Sequence, residues 1–220
     1  MRAVQPEGRR GSLKWIQRAV ATRLRSLEAP ILARTGASSV DWRSPLREDD
    51  FAEYRDATFL ARIGLERLND ELADFWPSRG PQRDALGVSD GGVLLVEAKA
   101  HVGELCSPGT QASGALLDRI AARLAQTAVA LGARDGHAPW TRFFYQLANR
   151  LAHLRWLRER NVPAWLVLVN FCGDVEMAGP ATAAEWRAAY QVAWHVMGLP
   201  ARHALSRWVI EVFPDVRELA

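Results

Sequence analysis

The chain has 220 residues, 49% of them hydrophobic and 24% charged, the balance of a soluble globular domain with room for one sizeable core and too little for two. Its main apolar stretch, Pro163 to Val169, falls far short of the roughly 18 to 20 residues that cross a bilayer, and the Arg-rich start lacks the apolar segment of a secretory signal, so no membrane association is expected. Two cysteines, Cys106 and Cys172, stand in no ligand spacing, which excludes a disulfide framework, gives no zinc signature and suits a cytoplasmic protein.

A net charge of +3 fits a polyanionic partner without requiring one. The kind of basic residue is more telling, because 26 of the 28 are arginine and lysine occurs only at Lys14 and Lys99. Lysine is a compact charge that can lose its proton, whereas arginine is a permanently charged fork. The skew reads most simply as coding bias in a GC-rich genome, and it also suggests that a surviving lysine sits where arginine cannot do its job.

Residues 1–11 show no periodicity and read as a flexible arm, with a single α/β domain expected over 12–220. From Ser12 to about Leu27 the apolar residues recur at helical spacing, with Ser12 as N-cap and Pro30 as the break. Thr35 to Pro45 reads as loop. A long amphipathic helix is expected from about Asp50 to Phe75, with Phe59, Ile63, Leu68, Leu72 and Phe75 as its buried stripe. The segment QRDALGVSDGGVLLVEAKA then reads as two strands joined at Ser89-Asp90-Gly91-Gly92. Its second strand, Val93 to Ala100, is nearly all apolar, as a strand covered on both faces must be. Helical periodicity resumes from Ser113 to Leu131 and from Trp140 to Arg160. Pro163 to Phe171 reads as another buried strand. Thr182 and Glu185 form a capping box for a helix reaching Met197, and Arg207 to Phe213 as a final strand. This order predicts a mixed sheet flanked by helices.

Three charged residues fall inside the apolar hairpin. Side chains alternate faces along a strand, so Glu97 and Lys99 project together. A two-residue turn at Asp90-Gly91 sets Asp84 opposite Glu97, and one at Gly91-Gly92 sets it opposite Lys99. Either register gathers the three on one face, and a three-residue loop would break that parity. Burying such groups costs several kcal/mol each unless they are paired. A divalent cation resolves the repulsion between the carboxylates: Mg²⁺ takes one or two carboxylates and keeps several waters. Beside a phosphate it would polarise an oxygen and acidify a bound water, with Lys99 offsetting charge on phosphorus.

Asp84, separated by twelve residues from Glu97-Ala98-Lys99, resembles the PD-(D/E)xK motif of the restriction-endonuclease-like nuclease superfamily. The resemblance covers about residues 50–172. It implies a small mixed sheet with the motif on a hairpin, preceded by a helix and followed by another helix and strand. It implies that Asp84 and Glu97 bind Mg²⁺ or Mn²⁺, that Lys99 is the catalytic lysine, and that the substrate is nucleic acid, DNA foremost, cut by a protein that is often a homodimer. Many members add an acid from the first helix, where Glu66, Asp70 and Glu71 are candidates and Glu66 is preferred. Arg83 stands where the motif has proline, and no strand is evident ahead of the Asp84 strand.

Gln146, Asn149, Arg150 and His153 form a polar stripe at helical spacing. Gln146 and Arg150 are candidates for phosphate contacts by the resemblance, and a solvated helix face by pattern alone. Lys14 is either a lid over the site or a surface lysine, and His101 either a base or a structural residue. The chain has no Walker loop, GxGxxG, HExxH or GxSxG, so nucleotide hydrolases, dehydrogenases, zincins and α/β-hydrolases lack support. The expectation is a metal-dependent nuclease. The alternative is an inactive or repurposed member that binds nucleic acid or a protein.

Overall fold

The structure, a computed structural model, describes residues 1–219. Ala220, the last residue of the expected domain, lies outside them. Five strands form the central sheet in the order β2 (Asp41–Ser44), β4 (Ala85–Ser89), β5 (Gly92–Lys99), β6 (Ala164–Asn170) and β7 (Val209–Val212). The first three are antiparallel neighbours, and β5, β6 and β7 run parallel. The architecture is α/β, a mixed five-stranded sheet with helices on both faces. Among the described residues no helix is long and apolar enough to cross a membrane.

The alternation of side chains in β5 and β6 divides the core into two layers. Leu94, Val96, Ala98, Val167 and Val169 pack under α1 (Gly11–Ala21) and α2 (Arg25–Thr35). Val93, Leu95, Leu166 and Leu168 face the opposite layer, built by α3 (Asp56–Arg62), α4 (Asn69–Phe75), the short α5 (Val102–Leu105), α6 (Gly114–Ala130), α7 (Tyr145–Glu159) and α8 (Ala183–Val196). β5 and β6 are therefore covered on both faces, which is why their sequences are almost uninterrupted Val, Leu and Ala.

The hairpin takes the first of its two possible registers. Ser89 pairs with Gly92 and Ala85 with Val96, so Asp90-Gly91 is the turn and Asp84 stands opposite Glu97. Gly92 has a positive φ of 118°, and a Cβ there would lie 2.2 Å from the Pro163 carbonyl oxygen, so only glycine lets β5 start alongside the entry to β6. The helices expected from Ser113 and Trp140 and the strands expected from Pro163 and Arg207 all form, α7 starting five residues late at Tyr145. Thr182 caps α8 by accepting from the Glu185 N–H at 3.3 Å.

Five expectations need correction. The helix expected from Asp50 to Phe75 is several short pieces: β3 (Glu53–Tyr54), α3, a 3-10 turn and α4. Asp50, Phe51 and Asp56 have positive φ, and Gly64, at φ 73°, stops α3 with the left-handed cap that glycine favours. Phe59, Ile63, Leu68 and Leu72 are buried as expected, so the apolar spacing marked a core face without marking one continuous helix. Pro30 does not end the first helix, because the chain turns at Arg23 (φ 51°) and Pro30 lies inside α2. Ser12 is a residue of α1, whose cap position is Arg10. The first residues are tied down: β1 (Arg2–Ala3) pairs with β3, and Arg2 holds Asp49 and Asp50 at 2.9 Å each. Finally, the expected loop from Thr35 to Pro45 contains β2, the strand that was not evident ahead of Asp84.

Candidate active site

Asp84, Glu97 and Lys99 meet where β4 and β5 reach the layer of α7. β5 continues past its last antiparallel partner, so Glu97 and Lys99 are bonded through their backbone only to β6, opposite Leu168 and Asn170. The other side of β5 is left to Asp84, whose Oδ2 accepts the Ala98 N–H at 2.7 Å. That bond locks the carboxylate against the strand that carries the other two groups. Among the described residues, Asp84 Oδ1 has no hydrogen-bond partner.

Glu97 and Lys99 are almost wholly buried, at 3% and 6% exposure, and each is multiply paired. Lys99 Nζ donates to Glu97 Oε1, and to Gln146 Oε1 at 2.8 Å. Arg150 Nε donates to Glu97 Oε2 at 2.6 Å, its Nη1 to Asn149 Oδ1 at 2.7 Å, and its Nη2 to the Gln82 carbonyl. The polar stripe of α7 is thus buried rather than solvated: Asn149, Arg150 and His153 are all at or below 3% exposure. Gln146 and Arg150 hold Lys99 and Glu97 in place, and each of the three Arg150 nitrogens donates to an acceptor within the protein.

A further carboxyl joins the cluster. A third acid, Glu53 on β3, is half-buried, and its carboxyl senses both Asp84 and Glu97. Three acids therefore share two cations, Lys99 and Arg150, that pair directly with Glu97, and the buried Arg83 guanidinium is also within electrostatic reach of Glu97. Burial and then repulsion from Glu97 push the Asp84 carboxyl up to about 6, against the pull of Lys99 and Arg150. Burial and then Asp84 push Glu53 up to about 8. Burial opposes the charge of Glu97 too, but Arg150 and Lys99 outweigh it and hold Glu97 below the usual carboxylate range. Burial likewise opposes the charge of Lys99, and Glu97 and Asp84 overcome it, raising Lys99 above an ordinary ammonium. Lys99 is therefore charged at neutral pH, which fits it to stabilise negative charge rather than to abstract a proton.

Other expected contributors lie elsewhere. Glu66 is exposed on the 3-10 turn before α4. Asp70 is exposed, and Glu71 pairs with Arg160 at 2.7 Å. The third carboxyl near Asp84 and Glu97 is instead Glu53, and the two-residue strand that carries it is too short to leave a pattern in sequence. Lys14 belongs to α1 on the opposite face of the sheet, 4.0 Å above the Trp15 ring and 3.9 Å from Glu176, so it is no lid. His101 stands 3.7 Å from Glu104. Glu104 in turn accepts the Ala100 N–H at 2.6 Å and the Ser12 hydroxyl at 3.0 Å, binding the exit of β5 to the start of α1.

Asp84 and Glu97 supply the oxygen donors a hard cation prefers. Among the described residues no three His, Cys, Asp or Glu side chains converge closely enough to hold a metal ion by themselves. The donor set suits a largely hydrated ion held by two carboxylates rather than a closed cage. No family model matches the chain, and no curated protein and no solved structure matches it either.

Proposed function

We propose that the chain is a Mg²⁺- or Mn²⁺-dependent nuclease of restriction-endonuclease-like type that hydrolyses phosphodiester bonds, with DNA as its substrate. The observation that carries this reading is the set of Asp84, Glu97 and Lys99 on one face, Glu97 and Lys99 buried and Asp84 half-buried, with a third acid beside them. Acids raised toward neutrality mark a site short of positive charge, and perturbed groups of this kind gather at functional sites. The antiparallel hairpin bearing the motif, the strand ahead of it, and the crossover through α6 and α7 to a parallel strand also agree with the architecture that the motif resemblance implies.

Asp84 and Glu97 would hold the ion, Asp84 through the oxygen that no backbone N–H occupies. When bound, a divalent ion polarises a phosphoryl oxygen and lowers the pKa of a coordinated water to give the nucleophile. Gln146 and Glu97 fix the Lys99 ammonium in direction, so that its remaining N–H meets the charge growing on the phosphoryl oxygens without reorganisation. Arg150 keeps Glu97 ionised. Glu53 and Asp84 release protons as a cation arrives, which couples metal binding to pH.

Titration of Mn²⁺ into the wild type, Asp84→Ala and Lys99→Met, with plasmid nicking measured on the same samples, tests the proposal. Wild type binds and nicks. Asp84→Ala does neither, and Lys99→Met keeps the metal while losing roughly 10²–10³ in rate. A folded wild type that binds no metal sinks the proposal. One observation favours a second reading, a repurposed fold that binds nucleic acid without cutting: Glu97 is already neutralised by Lys99 and Arg150. That reading requires retardation of DNA in a gel with neither metal binding nor nicking.

A further inference from the structure

The two edges of the central sheet are finished differently. β2 is blunted: its register shifts between Trp42 and Ser44, Pro45 follows it, and Arg62 Nε covers the Arg43 carbonyl at 2.9 Å. β7, at the other edge, carries no bulge and no proline, and its ladder runs to β6 alone.

Alternation decides which backbone groups of β7 face outward. The chain of β6 turns its odd-numbered residues toward β5, as where the Phe171 N–H donates to the Lys99 carbonyl at 2.8 Å. Its even-numbered residues turn toward β7. There the Cys172 N–H donates to the Pro214 carbonyl at 2.8 Å, and the Cys172 carbonyl accepts the Val216 N–H at 3.0 Å. Leu166 with Val209 and Cys172 with Asp215 keep the same register. Ile210 and Val212 therefore bond to β6, and Val209, Glu211 and Phe213 present their N–H and C=O groups outward. Among the described residues no backbone or side-chain group bonds to this row. The Arg207 carbonyl, which begins the row, is taken by Arg34 Nη2 at 3.2 Å.

The row lies in a cleft of about 440 Å³. Val209, Ile210 and Glu211 line it together with Pro30 and Arg34 of α2 and with Arg187 and Trp194 of α8. Ile210 packs into the core under α2 and Val209 into the core on the side of α8, so this lining converges only along the outer edge of the strand. The edge is thus recessed between the two helical layers.

Four titratable side chains line the cleft. The half-buried Glu211 stands 3.9 Å from Arg187 Nε, and burial raises its pKa against the pull of Arg187. His203 is neutral, since its Nδ1 accepts the Leu205 N–H at 3.2 Å and burial lowers its pKa. Arg34 is exposed and pairs with no carboxylate among the described residues. The exposed Arg202 and Arg207 adjoin the lining in sequence. One acid among these arginines leaves the cleft positive.

We propose that this edge binds an extended acidic segment of a partner protein, which joins the sheet as a sixth strand. Outward N–H and C=O groups repeating every second residue, about 6.6 Å apart, are matched by another strand and not by a compact ligand. Acidic side chains on the two faces of that strand meet Arg34 on one layer and Arg187 on the other, and an apolar one lies on Trp194. A nucleic-acid strand brings charge but no donors and acceptors in this alternation. A second copy of the chain fits poorly, because its own β7 is recessed and the helices would collide before the edges met. The proposal stands apart from the nuclease reading, since β6 separates β7 from the strand that carries Glu97 and Lys99.

Selection of random linear decapeptides displayed on phage against the full chain, with calorimetry on the synthetic form of the enriched peptides, tests the proposal. The enriched peptides are acidic. N-methylation of alternate backbone nitrogens abolishes binding in one phase and spares it in the other, because only every second N–H of an added strand faces β7. By NMR hydrogen exchange, the Val209, Glu211 and Phe213 amides exchange fast in the free protein and are slowed by peptide, whereas Ile210 and Val212 are slow in both. Glu211→Pro removes one outward donor and leaves the ladder to β6 intact, so it weakens peptide binding roughly tenfold or more. Glu211→Gln keeps that donor and binds at least as tightly as wild type. Arg34→Ala weakens binding at low salt more than at high salt. A folded protein that enriches no peptide, basic enriched peptides, or equal loss with both N-methylation phases overturns the proposal. A dimer in sedimentation whose Glu211 amide is protected without peptide overturns it too, and assigns the edge to a second copy.

Discussion

The two faces of β5 are made from alternate residues of the same eight, and they solve opposite problems. On the face under α1 and α2, Leu94, Val96 and Ala98 are fully buried among Val167, Val169 and the Trp15–Ile16 pair. On the other, Val93 and Leu95 give way to Glu97 and Lys99, buried just as deeply. The difference lies in what α7 and Asp84 supply. Every charge on the second face meets an opposite charge or an amide, and on the first face nothing polar waits to receive one. Depth of burial therefore does not decide whether a strand can carry charge; the prior placement of partners does.

The largest test of that contrast is Val96→Asp. Val96 is fully buried between Ala85 and Val167. A carboxylate there has no partner, and an unpaired buried ion costs several kcal/mol, a large share of the roughly 5–15 kcal/mol that holds a domain together. The variant should be insoluble or lack a cooperative thermal transition. A soluble protein melting within a few degrees of wild type would show that the two faces are not different in kind.

Next is Glu97→Ala, which leaves Lys99 and Arg150 buried and facing each other. Removing one partner of a buried network typically costs about 3–5 kcal/mol, much of it from the charges left behind. Adding Arg150→Met should therefore recover part of the loss, on the order of 1–2 kcal/mol, in urea unfolding. Strict additivity of the two substitutions would mean that Arg150 supports the fold by packing alone.

Much of this arrangement was legible in sequence, for a definite reason. A hairpin register follows from a two-residue turn and strict alternation, so Asp84, Glu97 and Lys99 could be placed on one face by counting from Asp90-Gly91. The long apolar runs of β5 and β6 announced strands covered on both sides. What stayed hidden is set by contacts distant in sequence. Glu53 joins the cluster because β1 and the left-handed residues Asp50, Phe51 and Asp56 bend the chain out of helix. Arg150 turns inward because Gln82, Asn149 and Glu97 all wait there. β2 is four residues long, and only pairing with β4 makes it a strand.

The pH dependence of stability is the third test. Asp84 has its pKa raised from 3.8 to about 6, and Glu53 from 4.5 to about 8. The folded protein therefore holds protons that the unfolded chain has released. Their stabilising contribution is complete below about pH 4 and is lost as pH rises through 6 and then 8. Glu97, held low, acts in the opposite sense and loses its contribution only as pH falls below its lowered value. Unfolding free energy should decline from about pH 5 to pH 8, by on the order of 2 kcal/mol once solvent at the half-buried carboxyls is allowed for. Asp84→Asn should remove the lower part of that decline, and Mn²⁺ should flatten it in the wild type. A profile that rises with pH over this window would show that Lys99 and Arg150 already neutralise all three acids.

The smallest effect discriminates between the two candidate third acids. Glu66 is exposed on its turn, so Glu66→Ala should change stability by no more than about 0.5 kcal/mol and leave Mn²⁺ affinity and nicking unchanged. Glu53→Gln removes a carboxyl that Asp84 and Glu97 repel, and so should stabilise the protein at pH 8 by about 1 kcal/mol while lowering Mn²⁺ affinity severalfold. Opposite signs for stability and metal binding in one variant are what a crowded acid site predicts, because relieving the crowding also removes the attraction for a cation. If instead Glu66→Ala weakened metal binding and Glu53→Gln did not, the acid would have to come from the helical side, and α4 would need to swing toward the hairpin to bring it.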